Sequence, residues 1–258
     1  MKEPRVSGDP WSELRRHTPA RIALGRVGNS LPTAELLRFS AAHARARDAV
    51  HVALDTDALC AALADGGWPP IRVTSQAPSR PAHLRRPDLG RRLRTEDLQR
   101  LRDTATGPVD LVVVVGDGLS ALAVQLHAVE VLRSLHEALA STTENGQPLR
   151  FAPPVVATQA RVALADDVGA ALQARLALIL LGERPGLSAA DSLGAYLTLD
   201  PRVGRTDAER NCVSNIRPEG LTPQAAGQRL AWLVQQALRR GLTGVGLKDN
   251  SSTVSLPP

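Results

Sequence analysis

The runs LVVVVGDGLS, residues 111–120, and LALILLGERPG, residues 176–186, decide how this chain folds. Each is apolar throughout rather than alternating, which marks a strand buried on both faces, and each ends in a glycine followed by an acidic residue. Helical periodicity follows the first run, from Leu119 to about Leu139, and a helix is expected over about 167–174 before the second. Strands joined by helices imply a parallel sheet with right-handed crossovers. The expected class is therefore α/β, with a doubly wound, mostly parallel sheet.

Further elements flank these two. Ile71–Thr74 and Val155–Val156 read as shorter strands and Tyr196–Leu199 as another; Thr95 caps a helix to about Arg102, and Asn145–Gly146 marks a turn. Pro223 opens a last helix that closes at Gly241, with Leu230, Leu233, Val234 and Leu238 on one face. Before residue 69 the texture is helical: Pro10 to about His17 behind an Asp9 cap, Thr33 to about Asp48, and about 56–64 ahead of Gly66 and Gly67. Leu36, Leu37, Phe39, Leu54, Leu59 and Leu63 are the main bulky apolar residues there, too few for a separate core. The expected organisation is a small helical N-terminal region over 1–68 that docks elsewhere, a Rossmann-like domain over 69–241, and a tail over 242–258 that orders only when held.

Composition narrows the function. With 258 residues, 43% apolar and 22% charged, the chain is neither collagenous nor disulfide-stapled, and its longest apolar runs fall far short of the roughly 20 residues that span a bilayer. Net charge is +5, almost all of the positive part arginine, because Lys2 and Lys248 are the only lysines. Residues 1–102 hold 18 basic and 11 acidic groups, whereas 103–258 hold 13 and 15. Trp11, Phe39, Trp68, Phe151, Tyr196 and Trp232 are the only aromatics, which argues against stacking on nucleic-acid bases. The arginines of the first part, Arg38, Arg45 and Arg47 on one helix among them, suit a fixed protein interface; a solvated basic face is the competing reading. Cys60 and Cys212 lie far apart and no signal-peptide pattern opens the chain, so a reducing, cytoplasmic setting is expected.

Ligands of open α/β sheets bind beyond the carboxyl ends of the strands. There, Gly116-Asp117-Gly118 and Gly182-Glu183-Arg184-Pro185-Gly186 outline a crevice. Neither has the spacing of a dinucleotide loop, a P-loop or a nucleophile elbow. Asp117 fits a helix cap as well as a ligand group, and Glu183 a rim pair with Arg184 as well as a functional carboxylate. Cys212, in RNCVSNI over 210–216, has no histidine nearby in sequence to activate it, so no thiol chemistry is expected. Histidines 17, 43, 51, 83, 127 and 136 lack metal-ligand spacing, no metal site is expected, and His127 and His136 are placed on helix surfaces. From the residues alone, a nucleotide enzyme with Asp117 and Glu183 on a metal, or a scaffold without ligand, remains open.

LRRPDLGRRL (84–93), VVVVGDGLSA (112–121), LILLGERPGLSAADSLGAYLT (178–198) and RNCVSNI together resemble the small (light) subunit of ethanolamine ammonia-lyase. The resemblance runs from ELRRHTPARIALGR (13–26) through LLRFSAAHARARDAV (36–50) to the last helix. It implies an adenosylcobalamin-dependent lyase that converts ethanolamine to acetaldehyde and ammonia. Homolysis of the cobalt–carbon bond gives a 5′-deoxyadenosyl radical, which removes hydrogen from the carbinol carbon before the amino group migrates. It also implies a (β/α)₈ large subunit that holds the substrate, in a hetero-oligomer of several small/large pairs, while the small subunit closes over the cobalamin and contributes no catalytic residue. The family's cobalamin contacts fall on Val162 in ARVAL, Glu183 in GERPG and Cys212 in RNCVSN. VVATQA, just before Arg161, departs from the family pattern by lacking an aromatic residue, and the Asp-x-His-x-x-Gly signature of base-off cobalamin sites is absent, which implies a base-on cofactor.

Overall fold

The sheet grows outward from its two most apolar strands. In the computed structural model, which describes Ser7, residues 9–144 and residues 146–251, six strands form one sheet. They are β1 (Ile71–Thr74), β2 (Val109–Gly116), β5 (Val155–Thr158), β6 (Ala174–Gly182), β7 (Leu193–Leu199) and β8 (Arg210–Ile216), in the spatial order β1-β5-β2-β6-β7-β8. A separate ladder, β3 (Thr143–Glu144) with β4 (Gln147–Pro148), brackets the expected turn at Asn145–Gly146, of which Asn145 lies outside the described residues. β1, β5, β2 and β6 are parallel, with Val114 of β2 between Val155 and Ile179.

The last two strands break the expected parallel order: β7 is antiparallel to β6, and β8 to β7. Their connections, residues 183–192 and 200–209, contain no α-helix. Without a crossover of about a dozen residues or more, a strand can only fold back beside its predecessor. β8 is a strand although its sequence offers no apolar run, because one face alone is covered.

The helices are α1 (Thr33–His51), α2 (Thr56–Asp65), α3 (Arg80–Arg85), α4 (Thr95–Thr104), α5 (Ala121–Leu139), α6 (Leu164–Ala171) and α7 (Pro223–Arg240). One face of the sheet packs on α2, α5 and α7 through Leu59, Leu63, Val131, Leu135, Leu230 and Val234. The other packs on α4 and α6 through Leu101, Leu164 and Val168. The two covers differ in reach. α7 extends under β7 and β8, whereas α6 packs on β6 and β2. On β7 and β8, Ala195, Leu197 and Val213 join the α5/α7 core. Strand alternation turns Tyr196, Thr198, Arg210 and Cys212 to the opposite, less covered side.

Several local expectations shift. α6 starts at Leu164, so Asp166 and Asp167 sit in its first turn, where carboxylates complement the helix dipole. Thr33 is the first residue of α1 rather than its cap, and the helix runs on to His51. Residues 12–16 form a 3₁₀ turn, with Asp9 accepting from the Trp11 N–H at 2.9 Å. Between β1 and α4 the short helix α3 forms, with Ser79 as its cap. Leu59 and Leu63 join the core, but Leu36, Leu37 and Phe39 lie exposed, and α1 buries only Ala42, Ala46 and Ala49. Of the tail, residues up to Ser251 are described: Leu247 is buried, and Asn211 Nδ2 donates to its carbonyl at 2.7 Å.

α5 and α7 pack closely where Gly227 meets Ser134, since a Cβ on Gly227 would lie 2.5 Å from the Ser134 Cβ. Gly227→Val is expected to lower unfolding free energy by about 1–3 kcal/mol through overpacking, read from urea melts; an unchanged midpoint would show that the helices can part there without cost.

Candidate functional site

A cavity of about 910 Å³ opens at the carboxyl edge of the parallel strands, on the face that α6 leaves uncovered. Its lining includes Val162, Glu183, Arg161, Tyr196, Asp166 and Arg210. Val162 reaches it from the turn between β5 and α6, packed against the α4/α6 core. Tyr196 and Arg210 come from the bare face of β7 and β8, and Arg210 is held by Asp166 in a two-point pair, at 2.8 and 2.7 Å, and by the Thr198 hydroxyl at 2.7 Å. Burial alone would lower the Arg210 pKa, but the Asp166 carboxylate outweighs it and the guanidinium sits above its ordinary value.

Glu183 follows the last residue of β6 and is half-buried. Its Oε2 accepts from the Ser192 hydroxyl at 2.5 Å and from the Asn215 N–H at 3.3 Å. Its side-chain partners among the described residues are these neutral donors, and the rim pair with Arg184 considered from sequence does not form. The carboxylate is thus held by neutral donors alone and keeps acceptor capacity toward the cavity. Cys212 lies beside the cavity rather than on its lining, opposite Tyr196 in the β7–β8 ladder. Its thiol is pushed up by partial burial, opposed by a hydrogen bond with Tyr196, and the Glu183 charge adds to the rise. A thiol held protonated is a poor nucleophile and a small polar neighbour.

Asp117 does not face the cavity. It is 2% exposed, with Oδ1 accepting from the Ala160 N–H at 2.8 Å and Oδ2 from Arg80 at 3.2 Å. Burial pushes its carboxyl up, against those donors. Both oxygens are engaged inside the protein, which removes the reading of Asp117 and Glu183 as joint metal ligands; among the described residues no group of histidine, cysteine or carboxylate side chains could hold a metal. Asp117 instead fixes the turn that carries Arg161 and Val162, while Ser120 caps α5. Arg80 also donates to Gly118 O at 2.7 Å, and His83 Nε2 to the same oxygen at 3.0 Å. LRRPDLGRRL joins this support, since the Arg161 N–H donates to Gly90 O at 2.8 Å.

The family model described as ethanolamine ammonia-lyase light chain (EutC) matches residues 8–248. The chain is 51% identical over 259 residues, 99% of this chain and 88% of the relative, to the ethanolamine ammonia-lyase small subunit of Pseudomonas syringae pv. tomato. It is 54% identical over 246 residues to the protein of that name from Xanthomonas campestris pv. campestris, covering 94% and 89%. With the Azotobacter vinelandii protein of the same name it shares 52% over 251 residues, 96% and 91% of the two chains. The chain belongs to the ethanolamine ammonia-lyase light chain family. No helix among its described residues is long and apolar enough to cross a membrane.

Of the three positions the resemblance singles out, Val162 and Glu183 line the cavity, and Cys212 lies beside it on β8, two strands from the β6 end that carries Glu183. Sequence reasoning missed Tyr196 and the Arg210–Asp166 pair, which a reading of RNCVSNI as an alternating strand would have exposed. It also put His127 and His136 on helix surfaces. His127 is buried, with Nε2 3.9 Å from the Asp191 carboxylate, and His136 is sandwiched between the Trp68 and Phe151 rings.

His83 gives this site a pH signature. Burial, followed by the charges of Arg161 and Arg80, lowers its pKa from 6.5 to about 4, so the folded chain keeps it neutral. Below the unfolded pKa only the unfolded state takes the proton, and stability falls as pH drops from about 6.5 toward 4, by about 3 kcal/mol for the full shift. Unfolding free energies at pH 7, 5.5 and 4.5 should show this slope, and His83→Gln should flatten it; an equal slope in both would assign the dependence to other groups.

Proposed function

We propose that this chain is the small subunit of an adenosylcobalamin-dependent ethanolamine ammonia-lyase and that it holds one side of the cobalamin in the cavity at the β6–β7–β8 edge. The observation that carries the reading is Glu183: a carboxylate at the cavity, fixed by a hydroxyl and a backbone N–H and free of any cationic partner among the described residues. Such a group suits the amide N–H donors around a corrin ring. Val162 offers an apolar contact to the macrocycle, and Cys212 beside Tyr196 a small one. Bound adenosylcobalamin supplies radical chemistry through homolysis of its cobalt–carbon bond, turning ethanolamine into acetaldehyde and ammonia. This chain's residues bind and orient, while the large subunit holds the substrate.

That division accounts for the lack of an acid/base constellation in the cavity, whose carboxylates are engaged by arginines or by neutral donors. The same reading takes residues 69–241 as a Rossmann-like unit and 1–68 as the region that docks on the large subunit, in a cytoplasmic assembly of several small/large pairs that a bacterial microcompartment can enclose. Exposed Leu36, Leu37 and Phe39 give α1 an apolar strip beside Arg38, Arg45 and Arg47. Arg38 is already paired with Glu35 at 2.5 Å, so apolar burial contributes more to docking than charge.

The isolated chain is expected to show no turnover of ethanolamine and weak cobalamin binding. In complex with the large subunit, Glu183→Gln should weaken cofactor affinity by about 1–2 kcal/mol and Glu183→Ala by more, without unfolding, measured by retention of visible absorbance on dialysis. Parental affinity in both variants would remove Glu183 from the site. Changing Leu37 and Phe39 to aspartate should abolish co-purification with the large subunit, whereas glutamate at 38, 45 and 47 should only slow association and alter its salt response. Unchanged assembly in the aspartate variant would return α1 to a solvated role.

A further inference from the structure

The cavity's charges do not cancel. Six arginines line it against four carboxylates. Arg210 is matched by Asp166, and Arg92 by Asp167 at 3.0 Å. Arg205 is matched outside the cavity, by Asp200 at 2.9 Å and Glu209 at 2.5 Å. Arg91, Arg161 and Arg184 have no carboxylate partner among the described residues, and the one lining carboxylate without an arginine, Glu183, is held by neutral donors. Arg91 and Arg184 line the same cavity as Arg161, and each acts on it as a like charge. Burial lowers the Arg161 pKa first, Arg80 lowers it further, and after the opposing pull of Asp117, Arg91 and Arg184 both act in the same downward direction. Arg161 also has a buried Nε without a partner, while its Nη2 donates to His83 O at 3.2 Å. Crowding like charges against a half-closed cavity is unfavourable unless an anion completes the site.

We propose that Arg91, Arg161 and Arg184 form the receptor for a phosphodiester, the anionic link in the nucleotide loop of base-on cobalamin. The assignment rests on the cobalamin reading above and adds to it a division of the cavity. Corrin amides are neutral donors and match Glu183; the phosphodiester is the ligand's anion and matches unpaired guanidiniums, whose planar forks grip phosphate oxygens two at a time. Inorganic phosphate shares this chemistry and is the alternative occupant.

The test uses the complex with the large subunit and three probes: adenosylcobalamin, adenosylcobinamide, which keeps the corrin amides but lacks the phosphodiester and base, and inorganic phosphate as competitor. Arg91→Gln and Arg184→Gln remove side chains that bond to nothing among the described residues, so the fold should survive; Arg161→Gln is a third variant, checked by melting temperature. By equilibrium dialysis each should weaken adenosylcobalamin about three- to tenfold, the range for a partly exposed charge-assisted contact, and leave adenosylcobinamide unchanged. Phosphate should compete with adenosylcobalamin in the parental complex and less in the variants. Equal losses for both corrinoids, or no loss for either, would overturn the phosphodiester assignment while leaving the cobalamin reading intact. Competition by phosphate against adenosylcobinamide as well would mark a free-phosphate site and overturn it too. A parental complex that binds neither corrinoid would sink the cobalamin reading itself.

Discussion

The backbones of two loops touch at the carboxyl edge of the sheet, and the site depends on that contact. The Leu119 N–H donates to Gly182 O at 2.8 Å, and a Cβ on Gly182 would lie 2.0 Å from Ser120 O. A Cβ on Gly118, at φ +54°, would lie 2.2 Å from Gly182 O. Only glycine at both places lets the ends of β2 and β6 close on each other. Asp117, forced inward by this closure, then has two tasks that its burial makes expensive to undo: it holds Arg80, and it holds the turn after β5. Arg161 and Val162 are placed by that turn, and Glu183 by the residue beside it in the other loop. Position in the cavity is therefore set by backbone contact first and by side-chain pairing second.

Asymmetric cover explains why the cavity exists at all. With α7 under β7 and β8 and α6 packed on β6 and β2, the last two of the six strands have little helix cover on one face. A bare apolar face would be an aggregation hazard. Here that side instead carries polar groups, with Thr198 and Arg210 buried, Tyr196 half-buried and Cys212 exposed, and a buried ion pair ties its edge to α6. A groove of this composition can stay open to water without unfolding the strands beneath it, and it can receive a large ligand without first expelling side chains.

The central strands were legible in sequence because burial on both faces writes an unbroken apolar run, as in Leu111–Val115 and Leu176–Leu181. The glycine–acid pairs after them were legible for the same reason: charge directly beyond a buried strand needs a use. β8 was not, since a strand with one bare face alternates and RNCVSNI spreads its apolar residues thinly. Nor was the reversal of β7, which depends on what the 183–192 connection omits rather than on what it contains. Leu36, Leu37 and Phe39 misled for a different reason. Hydrophobicity marks what gains from burial but does not say whether the covering surface belongs to the same chain.

Charge shows the same limit of reading by segment. The excess of arginine before residue 103 looks like a docking face when acids are counted in the same stretch. Two of the acids that answer it lie beyond: Asp117 for Arg80 and Asp167 for Arg92. These pairs tie the first part of the chain to the sheet edge. Arg80 meets Val50 O, Gly118 O and Asp117 at once, and Arg210 meets both Asp166 oxygens and a hydroxyl. A lysine's compact ammonium has three donors and no planar fork, and could not make such contacts in fixed directions. Three of the arginines without a carboxylate partner among the described residues, 91, 161 and 184, line the cavity, so part of the chain's positive charge belongs to its site.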